Sequence, residues 1–585
     1  MQRTGVTLGL VAFGLSVSAC QWLVEGTTAF ADSSPNVEQV EPSVIKGCEY
    51  NDIKIAASKD GGYGQAPFQN PPELRSKDGV LNTELTVQYT DAPTSIAGCP
   101  VKLRSYNGQL VGPTLRIRQG DVVNLLLSNN LPPETADKVQ AQFIQESKGV
   151  YLGTTPASFN TTNLHFHGLH VSPTGNSDNV LLDIVPQSHL RYEVKLPATH
   201  PIGTYWYHAH AHGSTAIQVG SGMAGAIIIE DDPTTIPPSL QAANKGEKVF
   251  VLQTILYNQA GRLDQIAALF PGDCKNPDDK DTWSCSKRRI TINGQLVPVI
   301  TMKSGEVQRW RLIDTAFREG IAFAVKGHDL HEIALDGNYL GRVDTWKAGT
   351  PIDLQPGYRS DVLIKASMTP GDYDIIDQPT AKDKSLRGID ELENRLAILR
   401  VTNEVENMAL PTSLDMAPLA PFGNLDLTKK ALGVQEVVFK LGNDMQGKKK
   451  YFQVNYQAFS PDHVRQLPLD AVEMWALTTV GDPLGVPNGI SQPDPWLTPP
   501  PPHVFHIHVN PFQWVRKAPD GRPELVWKDT LLVQGPDVTN IYTRYQDYIG
   551  KFVMHCHILD HEDLGMMEVE QVVNSANGLA SPHAH

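Results

Sequence analysis

The stretch Tyr106-Asn-Gly-Gln109, followed by Leu115-Arg-Ile-Arg-Gln-Gly-Asp-Val-Val-Asn-Leu125, is the first of three copies of one sequence pattern. The other two copies are Ile292-Asn-Gly-Gln295 with Ile300–Trp310, and Val454-Asn-Tyr-Gln457 with Ala471–Trp475. In each copy a turn at Asn-Gly, or a variant of it, precedes strands in which apolar and polar residues alternate. Three such copies predict three related domains.

Short alternating runs such as Ala224–Ile229 and Asp361–Ile364 lie between the copies, whereas long amphipathic helical patterns are scarce. Turn residues separate these runs, which is typical of β-sandwiches. We therefore predict an all-β fold with domains at 45–232, 245–405 and 430–575. A polar connection that contains proline, from about Asn407 to Lys430, joins the second domain to the third.

Length and charge set broad limits. A chain of 585 residues is too long for one core, and at about 100 to 200 residues per domain it divides into about three. Its 49 Lys and Arg against 64 Asp and Glu give a formal net charge of −15. This balance argues against nucleic acid as a partner and is compatible with a cationic substrate.

Residues 1–31 are predicted to be an export signal, because Arg3 precedes an apolar run, Val6–Ala19, that is too short to cross a membrane. Two cleavage sites compete. Val17-Ser-Ala-Cys20 resembles a lipoprotein site, which would leave a lipid anchor at Cys20 as the only membrane attachment, whereas Ala29-Phe-Ala31 fits ordinary signal peptidase. Either site predicts a periplasmic or extracellular protein.

Six cysteines are present, of which Cys20 belongs to the signal and Cys556 to a metal-ligand motif. In an oxidising compartment the remaining four predict two disulfides, and their spacing along the chain favours Cys48 with Cys99 and Cys274 with Cys285. The alternative is that these four are buried free thiols.

The pattern His-x-His occurs six times, against roughly 0.6 expected by chance from 19 histidines in 585 residues. Two histidines at i and i+2 project from the same face of a strand, so four such strands could direct eight imidazoles to one point. That number suits about three copper ions with two or three nitrogens each. The four motifs are His165-Phe-His167-Gly168, His208-Ala-His210-Ala-His212-Gly213, His503-Val-Phe-His506-Ile-His508 and His555-Cys556-His557.

The last motif lies in Lys551–Met567, KFVMHCHILDHEDLGMM. On a strand Cys556 faces away from His555 and His557, so one strand can serve two sites. Cys556, His561 and Met566 are three of the four ligands of a blue copper site, which takes a thiolate, imidazoles and a weak axial thioether. The stretch therefore predicts that electrons pass from the Cys556 copper to a second centre held by the neighbouring histidines.

Taken together, HxHG, HxHxHG, HxxHxH and HCHxxxHxxxxM, in this order and divided between the first and last domains, resemble the multicopper oxidases, the family of laccases and bilirubin oxidases. The likeness covers nearly the whole chain after the signal. It implies three cupredoxin-like Greek-key β-sandwich domains and four copper ions. One would be a mononuclear blue copper in the third domain, and three would form a cluster between the first and third domains.

The same resemblance implies a role for each ligand. The mononuclear (type 1) copper would bind His503, Cys556, His561 and axial Met566. The type 2 copper of the cluster would bind His165 and His506. The type 3 pair would be held by three histidines on each ion: His167, His208 and His557 on one, and His210, His508 and His555 on the other.

Reduction of O₂ to water also needs protons, and the family places two acids near the cluster. Glu562, which directly follows ligand His561, resembles the first acid. Asp178, in Gly175-Asn-Ser-Asp178-Asn179, resembles the second, although its distance from His167 and the following Asn depart from the laccase pattern. The alternative for both is an ordinary surface or turn carboxylate.

Other histidines have structural interpretations. His212 is the third histidine of its motif and would orient a ligand or bind water. His328 and His331 lie in the second domain, which carries no metal-ligand motif, and are expected to be structural. His583 and His585 end the chain and would bind copper only adventitiously.

The resulting prediction is an exported, monomeric copper oxidase that couples one-electron oxidation of a substrate to four-electron reduction of O₂. A phenol or aromatic amine is the first candidate substrate, with bilirubin as a possible member of that class. Cu⁺ or Fe²⁺ is the second, although the 11 methionines are scattered rather than clustered. A copper nitrite reductase is an alternative, but it would need only one histidine beside the cysteine, so the pair His555 and His557 counts against it. A non-catalytic copper protein is a further alternative, but it would not need both the mononuclear site and the cluster.

Overall fold

A computed structural model describes residues 66–134, 158–258, 260–263, 287–386, 388, 390–419, 423–425, 433–443, 450–481 and 500–574. The predicted signal, Cys48, Cys274, Cys285 and the C-terminal histidines lie outside these residues. Cys99 is disulfide-bonded. Its partner is outside the described residues, because the other cysteine within them, Cys556, is free. Both predicted cysteine pairings therefore stay predictions.

The first group of strands forms a five-stranded sheet, β1-β6-β11-β10-β8, a four-stranded sheet, β5-β2-β7-β9, and the small ribbon β3-β4. The strands are β1 (Glu73–Arg75), β2 (Val80–Tyr89), β3 (Ser95–Ile96), β4 (Cys99–Pro100), β5 (Arg104–Tyr106), β6 (Thr114–Ile117), β7 (Val122–Asn129), β8 (His165–His167), β9 (Ser188–Lys195), β10 (Gly203–His208) and β11 (Ala224–Ile229). Two short helices accompany them, α1 (Thr215–Gly220) and α2 (Pro238–Asn244).

The second group forms a six-stranded sheet, β13-β12-β15-β20-β17-β18, and a five-stranded sheet, β14-β22-β21-β16-β19. The strands are β12 (Lys248–Tyr257), β13 (Lys287–Ile292), β14 (Val299–Ser304), β15 (Val307–Asp314), β16 (Ile321–Val325), β17 (Leu330–Leu335), β18 (Asn338–Trp346), β19 (Ile352–Leu354), β20 (Arg359–Lys365), β21 (Gly371–Asp377) and β22 (Asn394–Val405). Helix α3 (Ser413–Met416) and a 3₁₀ turn (Ala417–Leu419) follow.

The third group repeats the arrangement of the second, with sheets β24-β23-β26-β31-β28-β29 and β25-β33-β32-β27-β30. The strands are β23 (Val434–Asn443), β24 (Lys450–Val454), β25 (Val464–Pro468), β26 (Val472–Gly481), β27 (His503–Ile507), β28 (Phe512–Lys517), β29 (Pro523–Lys528), β30 (Thr530–Val533), β31 (Thr539–Arg544), β32 (Gly550–Cys556) and β33 (Met567–Val573). Helix α4 (Leu559–Asp563) connects the last two strands.

The repeated asparagine makes the same turn in all three groups. Asn107, Asn293 and Asn455 have φ angles of 55, 56 and 49°, a left-handed conformation that asparagine tolerates better than most residues. The side-chain oxygen of each accepts a backbone N–H bond from a neighbouring strand, from Thr86, Val251 and Val438 respectively. One physical device thus explains the repeat found in the sequence, while the domain limits given above remain predictions.

The alternating runs form strands with one buried face. In β7 half-buried and buried residues alternate along all eight positions, as the two-residue period of a strand requires. Each pair of sheets encloses an apolar cluster, which includes Leu125 in the first group, Trp310 in the second and Trp475 in the third. The all-β prediction is confirmed. Among the described residues, no helix has the length and apolar character to span a membrane.

Candidate metal centres

Strand pairing brings the four histidine motifs together. In the first group β8 runs antiparallel to β10, so that His165 lies opposite His208. In the third group β27 runs antiparallel to β32, which places His506 opposite His555. The eight histidines predicted as cluster ligands are all buried. Rings from the first group contact rings from the third, as with His167 and His506, whose ring centroids are 3.9 Å apart.

The predicted mononuclear site is a compact group of three donors. Nδ1 of His503 lies 3.5 Å from Sγ of Cys556 and 3.2 Å from Nδ1 of His561, and the Cys556 sulfur lies 3.9 Å from that nitrogen of His561. Bonds of about 2.0 to 2.3 Å to nitrogen and sulfur, as zinc makes, put three donors around one ion about 3.3 to 4 Å apart. The spacing therefore fits a single ion.

Met566 lies next to this group. It is buried in the same apolar cluster as Cys556, and its carbonyl oxygen accepts the backbone N–H bond of Cys556 at 3.0 Å. The next residue, Met567, packs in a separate cluster with Val180 and Phe459. The two adjacent methionines thus pack in different apolar clusters, and Met566 is the one in the cluster of Cys556.

The other eight imidazoles lie close together, and among the described residues the predicted set His210, His508 and His555 has its donor nitrogens within 4.8 Å of one another, whereas the donors of His165 group with those of His167 and His208 or with those of His506 and His508. Nε2 of His555 lies 3.1 Å from Nε2 of His210 and 3.3 Å from Nε2 of His508. The rings of His167, His208 and His557 have centroids 5.0 to 5.8 Å apart. The ring centroids of His165 and His506 are 5.8 Å apart.

Protein partners orient several of these rings, while other ring nitrogens of the cluster have no hydrogen-bond partner. Three Nδ1 atoms bond to backbone carbonyls: His208 to Ala209, His506 to Asp529 and His555 to Cys556. A buried nitrogen without a partner costs about 1 to 3 kcal/mol, so an accumulation of such atoms fits a site that a metal completes. The buried nitrogens without a hydrogen-bond partner include Nε2 of His165, His208 and His506, Nδ1 of His167, and both nitrogens of His557.

Burial favours the neutral form of these histidines. It lowers the pKa of His503 to about 3, and together with the neighbouring histidines it lowers the pKa of His165 well below its ordinary value. Neutral imidazole is the form that binds a metal. Burial also raises the pKa of Cys556 to about 12, so an ion must displace the thiol proton to bind there.

Glu562 lies between two histidines of the cluster. One oxygen, Oε1, accepts a hydrogen bond from the Thr215 hydroxyl at 3.1 Å and lies 3.4 Å from Nδ1 of His210. The other, Oε2, lies 3.2 Å from Nδ1 of His555. Burial, with a contribution from Asp563, raises the pKa of Glu562 well above its ordinary value. Glu562 is therefore a buried acid that can hold a proton beside the cluster, and not a surface carboxylate.

Asp178 is also buried and bonds to a histidine of the cluster. Its Oδ1 lies 3.0 Å from Nδ1 of His165 and accepts the backbone N–H bond of Phe166 at 3.0 Å. Burial raises the pKa of Asp178 to about 7, and the bond from Phe166 opposes that rise. The carboxyl group can thus exchange a proton near neutral pH while it orients His165.

Neither Asp529 nor Arg359 was predicted from the sequence. Asp529 Oδ1 lies 3.2 Å from Nε2 of His167, and its carbonyl oxygen receives the bond from His506. Burial opposes ionisation of Asp529, but Arg359 outweighs it, and the pKa of Asp529 is lowered. No motif marked these residues, because Arg359 is in the second group of strands and lies 170 positions from its partner.

The remaining predicted positions have ordinary surroundings. His212 is half-buried, with its ring 4.7 Å from that of Phe459. His328 bonds to the Lys326 carbonyl and accepts the Ser367 N–H bond. His331 bonds to the Thr345 hydroxyl. The last two are placed as structural histidines of the second group.

A cavity of about 700 Å³ extends to the edge of the histidine cluster. Its lining includes Gly168, Tyr205, Asp336, Trp527, Asp529 and Asp547. Asp547 is largely exposed, whereas Asp529 is buried against His167. The cavity therefore leads from the surface to the carboxylate that contacts a candidate ligand.

Comparison with known proteins gives a consistent result. Family models described as multicopper oxidase match residues 144–234, 240–403 and 435–576. A multicopper oxidase of Staphylococcus aureus is 25% identical over 477 residues, which cover 79% of this chain and 82% of that protein. A laccase of Bacillus stratosphericus is 24% identical over 534 residues, 81% of this chain and 91% of that protein.

Solved structures share the fold. A multicopper oxidase of Campylobacter jejuni, described as a metallo-oxidase, has a TM-score of 0.64 at 20% identity and covers 87% of this chain and 96% of its own. A multi-copper oxidase of Pediococcus acidilactici has a TM-score of 0.64 at 22% identity, with coverage of 90% and 96%. These matches confirm the prediction of cupredoxin-like β-sandwich domains. Because the three family matches together span more than half of the sequence, this chain belongs to the multicopper oxidase family.

Proposed function

We propose that this oxidoreductase holds four copper ions, one at the Cys556 group and three among the eight clustered histidines. The type 1 ion would bind His503, Cys556, His561 and Met566. The type 2 ion would bind His165 and His506. The type 3 pair would be held by six histidines: His167, His208 and His557 on one ion, and His210, His508 and His555 on the other. Bound copper would supply one-electron redox chemistry at the first site and oxygen reduction at the second.

One observation carries this proposal. Strand β32 ends in His555 and Cys556, with His557 next, and β27 lies beside it with Phe505 opposite Cys556. The sulfur meets His503 and His561, while the flanking imidazoles of His555 and His557 meet the other histidines of the eight-histidine cluster. The two groups are therefore joined by a single covalent segment, which is a short route for an electron.

The protein also supplies groups that handle protons. Glu562, whose carboxyl lies between His210 and His555 on the type 3 side of the cluster, would hold an exchangeable proton there. Asp178 would do so beside His165, on the type 2 side. Two acids on different sides are suited to delivering protons as water forms, because a general acid must lie within hydrogen-bond reach of the reacting group.

We propose phenols or aromatic amines as the substrates. Several relatives are laccases, including that of Bacillus subtilis, which is 23% identical over 509 residues. Within the described part of the chain, Asp560, the carboxylate directly before His561, forms an ion pair with Arg318 at 3.0 Å. A carboxylate paired in this way is a poor ligand for a metal-ion substrate, which favours an organic reductant.

Oxidation of Cu⁺ or Fe²⁺ is the second candidate. The formal net charge of −15 favours the approach of cations. Among the structural relatives, the Campylobacter jejuni protein is described as a metallo-oxidase. The two candidate substrate classes differ in the charge they need at the protein surface. A cation requires unpaired carboxylates near the site where electrons enter, whereas a phenol or amine does not.

We further propose that the protein is a monomer that acts outside the cytoplasm, in the periplasm or beyond the cell. The disulfide at Cys99 supports this location, because structural disulfides persist mainly in oxidising compartments. The apolar segment at the N-terminus supports export, with either a lipid anchor at Cys20 or cleavage after Ala31.

Oxygen consumption with a panel of reductants tests the function. The copper-loaded protein is supplied in turn with a phenol, an aromatic amine, bilirubin, Cu⁺ and Fe²⁺, at matched concentrations. The proposal predicts that phenol or amine gives the highest kcat/KM. A higher value with Cu⁺ or Fe²⁺ would establish the second candidate, and no oxygen consumption with any reductant would reject both.

A further inference from the structure

Arg359, in the strand group that carries none of the predicted ligands, makes a two-point contact with Asp529 beside the histidine cluster. Nη1 donates to Oδ1 at 2.7 Å and Nη2 to Oδ2 at 2.5 Å, and both side chains are buried. Paired bonds between guanidinium and carboxylate fix orientation as well as distance. The position of the Asp529 carboxylate is therefore set by the second domain.

Asp529 in turn contacts two candidate ligands, His167 and His506. Its Oδ1 lies 3.2 Å from Nε2 of His167, and its carbonyl oxygen lies 2.8 Å from Nδ1 of His506. The two rings stack, with centroids 3.9 Å apart and an interplanar angle of 8°. The Thr530 hydroxyl donates to Asp529 Oδ1 at 2.8 Å and lies 3.1 Å from both ring nitrogens.

Glycine at two backbone positions leaves space for the Arg359–Asp529 pair beside the histidines. Gly168, which ends the first histidine motif, has a φ of +87°, and a Cβ there would overlap Nη2 of Arg359 and lie 2.6 Å from Oδ2 of Asp529. Gly357 has a φ of +91°, and a Cβ there would lie 3.1 Å from Cε1 of His167 and 3.2 Å from Nε2 of His557. Glycine thus lets the Gly357–Arg359 segment approach the histidines closely.

Further contacts hold the pair in place. Arg359 Nη1 also donates to the Gly357 carbonyl at 2.9 Å, and Nε donates to the Thr204 carbonyl at 3.3 Å. Asp336 accepts the backbone N–H bond of Arg359 at 3.0 Å and that of Asp529 at 3.3 Å. The same carboxylate pairs with Lys528 at 3.0 Å. All three domains therefore meet in one connected polar network.

The bonds to Asp529 decide which nitrogen of each ring remains free to bind a metal. A hydrogen bond from one imidazole nitrogen fixes the tautomer and leaves the lone pair on the other. The Asp529 carboxylate accepts a hydrogen bond from Nε2 of His167, and Nδ1 of that ring has no partner. The Asp529 carbonyl oxygen accepts a hydrogen bond from Nδ1 of His506, and Nε2 of that ring has no partner. Asp529 thus leaves Nδ1 of His167 and Nε2 of His506 free to bind a metal.

We propose that Arg359, acting through Asp529, is a positioning residue that fixes the imidazoles of His167 and His506 for copper binding. This inference rests on the proposed trinuclear cluster. It gives the second domain a part in the copper site although that domain supplies none of the proposed ligands.

The test compares the parent protein with Asp529→Asn and Arg359→Lys. Asparagine keeps the shape but can donate a bond to His167, and lysine keeps the charge but loses the two-point contact. Arg516→Lys is the matched control, because Arg516 is buried and pairs with Glu332 at 2.7 Å and Asp344 at 2.5 Å. Four properties are measured for each protein. They are the copper retained during dialysis against a chelator, the electron paramagnetic resonance of the type 2 copper, the blue absorption and the thermal midpoint.

We expect Asp529→Asn to lose cluster copper at a roughly 10- to 100-fold lower chelator concentration and to change the type 2 resonance while the blue absorption is kept. Arg359→Lys should change both readouts in the same direction by less, and it decides the outcome if Asp529→Asn does not fold. Arg516→Lys should lower only the thermal midpoint. Variants of Asp529 and Arg359 that behave like the Arg516 control would overturn the inference. A parent protein that holds only the type 1 copper would instead reject the proposed cluster.

Discussion

Oε2 of Glu562 lies 3.2 Å from Nδ1 of His555, although the two side chains leave different secondary-structure elements. His555 is in strand β32, and Glu562 is in helix α4, which begins three residues after that strand ends. The short helix turns the chain back toward the cluster. The segment that carries the cysteine therefore also returns an acid to a histidine next to it.

Glu562→Gln should slow the reoxidation of reduced enzyme by O₂ by about 100-fold, because the amide keeps the shape but cannot deliver a proton. Substrate oxidation at the Cys556 site should change much less. Stopped-flow reoxidation across a range of pH measures the effect. Glu473→Gln is the control, because Glu473 is a buried carboxylate that accepts the Tyr545 hydroxyl at 2.8 Å. If Glu562→Gln reoxidises at the parent rate at every pH, Glu562 is not the proton donor.

Cys556→Ser should abolish the blue absorption and substrate oxidation, because the thiolate that produces both is removed. Most of the other copper should remain, since the eight clustered histidines are unchanged. Copper analysis together with visible absorption checks this result. Turnover of phenols by the serine variant at the parent rate would show that electrons enter at another place.

Met566→Leu should raise the potential of the blue copper, because the axial thioether is one of the protein's controls on that potential. Leucine is close to methionine in volume, so the loss of stability should be below about 1.5 kcal/mol. Met567→Leu should leave the potential unchanged, since Met567 packs in a cluster with Val180, Phe459 and Val553. Redox titration of both variants distinguishes them. An unchanged potential in Met566→Leu, or a larger rise in Met567→Leu, would mean that the axial ligand is misplaced.

Glu247 should make stability depend on acid pH. Burial opposes its ionisation, but Arg311 and Arg116 outweigh burial and lower the pKa of Glu247 from 4.5 to about 2. Because the pKa is lower in the folded state, this contribution is present above pH 4.5 and is lost as the pH falls toward 2. Its full size is about 3 kcal/mol at 1.36 kcal/mol per pKa unit.

The thermal midpoints of the copper-free parent and Glu247→Gln, measured between pH 6 and pH 2.5, check this expectation. The variant should be less stable at neutral pH, because two buried arginines lose a charged partner, and it should lose less stability on acidification. Glu193→Gln is the control, since Glu193 is a partly exposed residue that pairs with Lys195. Equal acid-induced shifts in the parent and Glu247→Gln would contradict the assignment.

The parts of the site that the sequence predicted are local in the chain. His165 and His167 share a strand face because they are two residues apart, and the turn at Asn107 depends on its own backbone conformation. Patterns of this kind are visible in the sequence before folding. They identified the histidines that form donor groups within the described residues.

The missed residues act across long distances in the chain. Arg359 and Asp529 are 170 positions apart, and neither stands in a motif, so only the packing of the domains shows the pair. Asp563 is similar, because its carboxylate accepts N–H bonds from Gly213 and Ala216 at the start of α1, about 350 positions away. Such contacts depend on where strands and domains pack, which periodicity and spacing do not reveal.

Copper content is the most direct test of the central claim, that one segment links a single copper site to a three-copper cluster. The purified protein is loaded with copper, freed of excess metal and analysed for copper per chain, with visible absorption recorded on the same sample. The account predicts about four copper ions per chain and a blue protein, from ten histidines, one thiolate and one thioether. One copper per chain, or a fully loaded protein that is colourless when oxidised, would contradict it.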